Sequence, residues 1–145
     1  MELVVKTFDE LTTGELYDIL KLRVDVFVVE QACPYEEVDG KDRQSVHVYL
    51  KDETGIKAYL RVIKAGVAFD DVAIGRVIAR ERRQGLGTEI LQAGINAAKE
   101  YYNAERIVLE AQTYARGLYE KAGFVQTSEE FVEDGIPHIK MMLEL

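Results

Sequence analysis

The stretch from Val72 to Tyr102 constrains the fold more than any other part of the chain. Val72 to Ala79 is a nearly continuous apolar run, interrupted by Gly75 and Arg76, which suits a central strand buried on both faces. Arg80-Glu81-Arg82-Arg83-Gln84-Gly85-Leu86-Gly87-Thr88 follows, and then Leu91, Ile95, Ala98 and Tyr102 recur at four, three and four residues, one helical stripe facing a sheet. A strand that passes into a helix through a glycine turn brings the free N–H groups and positive end of that helix to the turn. Gly85 and Gly87 let the backbone approach a ligand closely. The junction therefore reads as an anion site, most naturally for a phosphate or pyrophosphate.

Charge sharpens this. The 145 residues carry 18 Lys+Arg against 26 Asp+Glu, a net charge of 18 − 26 = −8, with a pI near 4.8. Such a chain is a poor partner for nucleic acid or an anionic membrane. Arg76, Arg80, Arg82 and Arg83, opposed only by Glu81, give a local balance of 4 − 1 = +3 beside the glycine turn. The ligand is not that of a P-loop, because no Lys follows Gly85 or Gly87, nor of the dinucleotide fingerprint, because position 90 is Ile.

The rest of the chain builds a mixed sheet around this unit. Glu2 to Phe8 reads as a strand, and Thr12-Thr13-Gly14-Glu15 has capping-box form ahead of a helix with Leu16, Leu20, Arg23 and Phe27 on one face, running to about Val28. Glu30 to Arg43 is a polar loop. Ser45 to Lys51 alternates, with Val46, Val48 and Leu50 on one side, and Ile56 to Lys64 is its antiparallel partner. Arg106 to Ala111 is a short strand, and Ala115, Leu118, Tyr119 and Ala122 share a helical face closed by Gly123. Phe124 to Thr127 and His138 to Leu143 form a terminal strand pair. The order β-α-β-β-β-α-β-α-β-β predicts one α/β domain over residues 1–145, a mixed, mostly antiparallel sheet flanked by helices.

Cys33 stands alone, so no internal disulfide forms, and no Cys/His spacing of a metal site is present. No apolar run approaches the roughly 20 residues of a membrane span, and the first residues lack signal-peptide character, so a cytoplasmic protein is expected.

Arg82-x-x-Gly85-x-Gly87 at the strand–helix junction resembles the acyl-coenzyme A loop of the GNAT N-acetyltransferase superfamily. Gln112-x-x-Ala115-x-x-Leu118-Tyr119-x-x-x-Gly123-Phe124 is similar to a second block of that family. Arg23-x-x-x-Phe27-Val28-Val29-Glu30-Gln31-x-Cys33-Pro34-Tyr35 and Glu133-Asp134-Gly135-Ile136-Pro137-His138 look like its ElaA-like subgroup. The resemblance implies an acetyl-CoA-dependent acyltransferase acting on a primary amine by direct attack on the thioester, with no metal. It also implies that backbone amides of Arg82, Arg83, Gln84, Gly85, Leu86, Gly87 and Thr88 hold the pyrophosphate, and that Val77, Ile78 and Ala79 pair with the pantetheine arm. The resemblance further implies that Gly75 marks a bulge or splay that admits the thioester, and that Tyr119 protonates the departing thiolate.

The chain departs from the family pattern in having no carboxylate between Val72 and Ala79, which leaves Glu110 and His138 as alternative bases. Gln112 stands where the family has Asn and either contacts coenzyme A or caps the next helix. Glu36, Glu37, Asp39 and Asp42 are either a solvated face or an attractor for a cationic amine. An acyl-CoA-binding sensor without catalysis is the alternative reading, and a homodimer is compatible with either.

Overall fold

The computed structural model describes residues 1–80 and 85–145. Its elements are β1 (Glu2–Thr7), α1 (Thr13–Arg23), β2 (Ser45–Asp52), β3 (Gly55–Ile63), β4 (Val72–Ala79), α2 (Leu86–Tyr102), β5 (Arg106–Gln112), α3 (Arg116–Lys121), β6 (Val125–Gln126), β7 (Phe131–Glu133) and β8 (Ile136–Glu144). The eight strands make one sheet in the order β1-β2-β3-β4-β5-β8-β6, with β7 paired to β8. Among the described residues only β4–β5 is parallel. This is the mixed, mostly antiparallel sheet that the sequence predicts.

Two apolar layers cover it. α2 and α3 pack on the face that carries Val46, Val48, Leu50, Leu60 and Val62, while Ile19 and Leu22 of α1 pack on the face that carries Val4, Tyr49, Tyr59 and Ile78. Leu91, Ile95 and Ala98 are buried as their spacing predicts, and Tyr102 packs at the edge of the same cluster. α2 lies so close to the sheet that a Cβ on Gly94 would sit 2.7 Å from a methyl of Leu60.

At α1 the capping box forms as predicted: Thr12 Oγ1 accepts the Glu15 N–H at 3.0 Å, and Glu15 Oε1 accepts the Thr12 N–H at 2.9 Å. The buried face is Ile19, Leu22 and Arg23 rather than one through Leu16 and Leu20, because it is centred on Arg23, whose guanidinium turns inward. The helix then widens into a π-helical segment over Val24–Glu30, beyond the expected end at Val28. In β2 the second side is buried too, with His47 and Tyr49 under the α1 side. The terminal pair forms between β6 and β8, and β7 is an extra strand, joined to β8 through Asp134 and Gly135.

The feature that positions the site is a parting in mid-sheet. β4 and β5 share only the pairs Val72↔Ile107 and Ala73↔Val108, so from Ile74 onward one edge of β4 has no ladder partner among the described residues. On the other edge, the register against β3 slips between Tyr59 and Arg61. The irregularity expected at Gly75 falls on Arg76, which takes the left-handed conformation at φ 55°.

Candidate active site

Where β4 and β5 part, a cleft of about 390 Å³ opens on the α1 side of the sheet. It brings together Gly75 and Val77 from β4, Glu110 and Gln112 from β5, His138 from β8 and Tyr119 from α3. The sheet explains most of this grouping. Ile107, Leu109 and Ala111 face the α2 core, so the alternate residues Glu110 and Gln112 face the other way, opposite Lys140 and His138 in the β5–β8 register. Tyr119 packs in the α2 layer and reaches the cleft through the gap between the two strands.

The end of α3 fixes Tyr119. The Phe124 N–H donates to the Tyr119 carbonyl at 3.0 Å and the Gly123 N–H to the Glu120 carbonyl at 3.0 Å, with Gly123 at φ 102°. These are the paired bonds of a Schellman motif, and its apolar contact is the Phe124 ring set edge-on to Tyr119 at 6.0 Å. Tyr119 is 6% exposed, and burial, with Tyr114 adding to it, pushes its hydroxyl above the ordinary tyrosine range. It is thus a protonated donor at neutral pH.

Glu110 is half-buried, and its carboxyl is pushed up to about 7, first by burial and then by the hydrogen bond and charge of Glu133, with Lys140 acting in the opposite sense. His138 Nδ1 lies 2.7 Å from the Ile136 carbonyl, and its ring stacks on Phe131 with centroids 6.0 Å apart. Gln112 exchanges two amide hydrogen bonds with Gln31, both at 3.2 Å, across the cleft. It precedes the turn Thr113–Ala115 without capping it through its side chain.

Gly85, Leu86, Gly87 and Thr88 are not among the residues that line this cleft. Gly85 adopts φ 68° immediately before α2, a conformation that suits glycine, and Gly85 and Thr88 are exposed. Leu86 is buried. Gly87 is bare for packing: a Cβ there would meet a methyl of Leu118 at 3.3 Å. Arg82, Arg83 and Gln84 lie outside the described residues, as does Glu81. Ile78 is buried among the α1-side apolar residues, and Val77 and Ala79 are half-buried.

Two charge expectations change. Arg80 Nη1 bonds Glu30 Oε2 at 2.9 Å, and Arg76 pairs with Glu37 and Asp39, so two of the four arginines are already engaged by carboxylates. The acidic loop is not a solvated face, since Glu37 and Asp42 are buried. Arg23, fully buried, donates from Nε to Glu37 Oε1 at 2.7 Å and from Nη1 to Asp42 Oδ1 at 2.6 Å. Arg61 donates to Asp39 Oδ2 at 2.6 Å and to Asp42 Oδ1 at 3.0 Å. Glu37, Asp39 and Asp42 thus serve to pin the segment from Gln31 to Asp42 against the sheet. Glu36 and Asp39 still line the cleft.

Gln31, Tyr35 and Glu133 line the cleft without having been singled out by sequence reasoning as site residues. The Asp134-Gly135 pair is the local signal that would have found the hairpin carrying Glu133.

A family model described as an acetyltransferase (GNAT) domain matches residues 16–145. The chain is 42% identical over 149 residues to a UPF0039 protein of Schizosaccharomyces pombe, covering 100% of this chain and 98% of that one. The crystal structure of an acyl-CoA N-acyltransferase from Pseudomonas aeruginosa superposes with a TM-score of 0.91 at 36% identity, covering 99% of both chains. The crystal structure of Escherichia coli ElaA gives a TM-score of 0.90 at 33% identity, covering 99% of this chain and 100% of that one.

Proposed function

Given that the chain belongs to the GNAT acetyltransferase family and, within it, to the ElaA-like group, an N-acyltransferase lineage, we propose that it moves an acetyl group from acetyl-CoA to a primary amine. The observation that carries this reading is the convergence of a protonated phenol and a carboxyl of raised basicity on one cleft, at the point where β4 loses its neighbour.

The residues fit an acyl-CoA. The unpartnered β4 edge at Val77 to Ala79 offers backbone groups to an extended amide arm, as a strand does to a peptide. Gly85, Leu86, Gly87 and Thr88 open α2, whose free N–H groups suit a pyrophosphate, and Arg82, Arg83 and Gln84 complete that assignment by sequence. Gln112 is assigned to the same ligand and would exchange its Gln31 bonds for that contact.

The acceptor arrives as an ammonium ion and must lose a proton before its nitrogen can attack. Glu110 takes that proton, its raised basicity being matched to the task, and His138 is the alternative base in the same cleft. As the amide forms, Tyr119 gives its hydroxyl proton to the departing sulfur and regains one of the nitrogen's protons. The proton on Glu110 passes to solvent, so each turnover releases one. The sensor reading drew on the lack of a carboxylate in β4, and Glu110 answers that lack from the neighbouring strand.

The test is thiol release from acetyl-CoA over a panel of primary amines, repeated with Tyr119→Phe. The expected result is turnover with at least one amine and a loss of about 100-fold in kcat in the variant. An unchanged kcat removes Tyr119 from the mechanism, and acetyl-CoA binding without turnover on any amine removes the enzyme's proposed acceptor class.

A further inference from the structure

The hairpin of β7 and β8 turns on Asp134 at φ 50° and Gly135 at φ 77°, the paired left-handed residues of a type I′ turn. Glu133 ends β7 immediately before this turn, and the hairpin holds it at the rim of the cleft against Glu110 of β5. A second tie fixes the hairpin from the far side of the cleft, since Cys33 Sγ, buried, donates to the Asp134 carbonyl at 3.3 Å. Two carboxyls from different elements are thus brought together beside the residue that must accept a proton.

We propose that Glu133 is a positioning residue for Glu110: both carboxyls are ionised before the step, and once Glu110 has taken the proton of the acceptor's ammonium group it donates it in a hydrogen bond to the Glu133 carboxylate. The inference rests on the reading of Glu110 as base. The step itself is simple: an N–H bond of the ammonium ion breaks, the electron pair stays on nitrogen, and the proton moves to a Glu110 oxygen. A nearby like charge favours the protonated form of a carboxyl, and therefore makes Glu110 a stronger base than burial alone would.

The groups that face Glu110 bear this out as a balance. Glu133 approaches from β7, while Lys140 stands opposite on β8 and acts to keep Glu110 ionised. His138 lies two residues along β8, and the other charged groups of the cleft belong to the far wall: Glu36, Asp39, Lys41 and Arg76. Arg76 and Lys41 both pair with Asp39 there, so neither is free to neutralise Glu110. Asp134 completes the acidic rim beside Glu133.

The test compares wild type, Glu133→Gln, Glu133→Asp and Glu110→Gln in two measurements. The first is a carbon-13 NMR titration of the glutamate carboxyl carbons in the intact protein, which needs no substrate. The second is the pH profile of kcat/KM with the amine chosen by thiol release. Glu110 is expected to titrate near pH 7 in wild type. In Glu133→Gln its midpoint and the acid limb of the profile should both move down by about one unit, with Glu133→Asp returning toward wild type. An unmoved midpoint in Glu133→Gln overturns the proposal even if Glu110→Gln is inactive. A moved midpoint with full activity in Glu110→Gln overturns Glu110 as base, and with it the catalytic role of Glu133, while the pairing of the two carboxyls stands.

Discussion

Arg23 shows what spacing leaves out about a single residue. On a helical wheel it sits in an apolar stripe, and in the fold it is fully buried as the hub of a charge network. A third bond runs from its Nη2 to the Glu37 carbonyl at 3.1 Å. Removing one partner of such a set leaves the others buried and uncompensated, which costs about 3–5 kcal/mol. Arg23→Met is expected to lose that much in urea unfolding at pH 7. The sign with pH follows from Asp42. Burial would raise its carboxyl, but the hydrogen bond and charge of Arg23 hold it below its ordinary value. Its stabilisation is present above the unfolded carboxylate range and fades as pH falls, so the gap between wild type and variant narrows below about pH 4.

Among the elements, α2 is the one whose fit is most closely set. Gly94 faces Leu60 of β3 with no room for a methyl group, so Gly94→Ala is expected to destabilise the protein by about 1–3 kcal/mol, measured by thermal or urea unfolding, with the loss relieved by Leu60→Val alongside it. The stripe of α2, the alternation of β2 and the limits of β4 were legible in the sequence because period and length report local geometry. What escaped was set by partners distant in the chain. The carboxylates of the polar loop read as either a solvated face or an attractor for an amine because the arginines that engage them, Arg23, Arg61 and Arg76, come from three other elements. β7 is three residues long and has no periodicity to read. Tyr119 and Gly123-Phe124 were visible as a motif, yet only the Schellman bonds explain why Phe124 is needed: it is the apolar stop against which the Tyr119 ring rests.

Over the whole molecule the inner charges cancel, since Arg23, Arg61 and Arg76 balance Glu37, Asp39 and Asp42 at 3 − 3 = 0, and the net −8 belongs to the rest of the chain. An anionic donor must therefore be held by local geometry against an unfavourable overall field, as the α2 junction and the β4 edge allow. Acetyl-CoA at about 100 times its Kd should add about 2.7 kcal/mol to stability. Scanning calorimetry is expected to show a melting temperature higher by roughly 5–10 °C, and no shift would argue against this ligand. The strand order has a consequence during synthesis. β8 lies between β5 and β6, both made before it. Until residues 136–144 have cleared the ribosome, β5 exposes a bare edge rich in Ile, Val and Leu beside a cleft that lacks His138 and the β7–β8 hairpin. A nascent chain stalled at that point would carry an adhesive, unpaired strand edge.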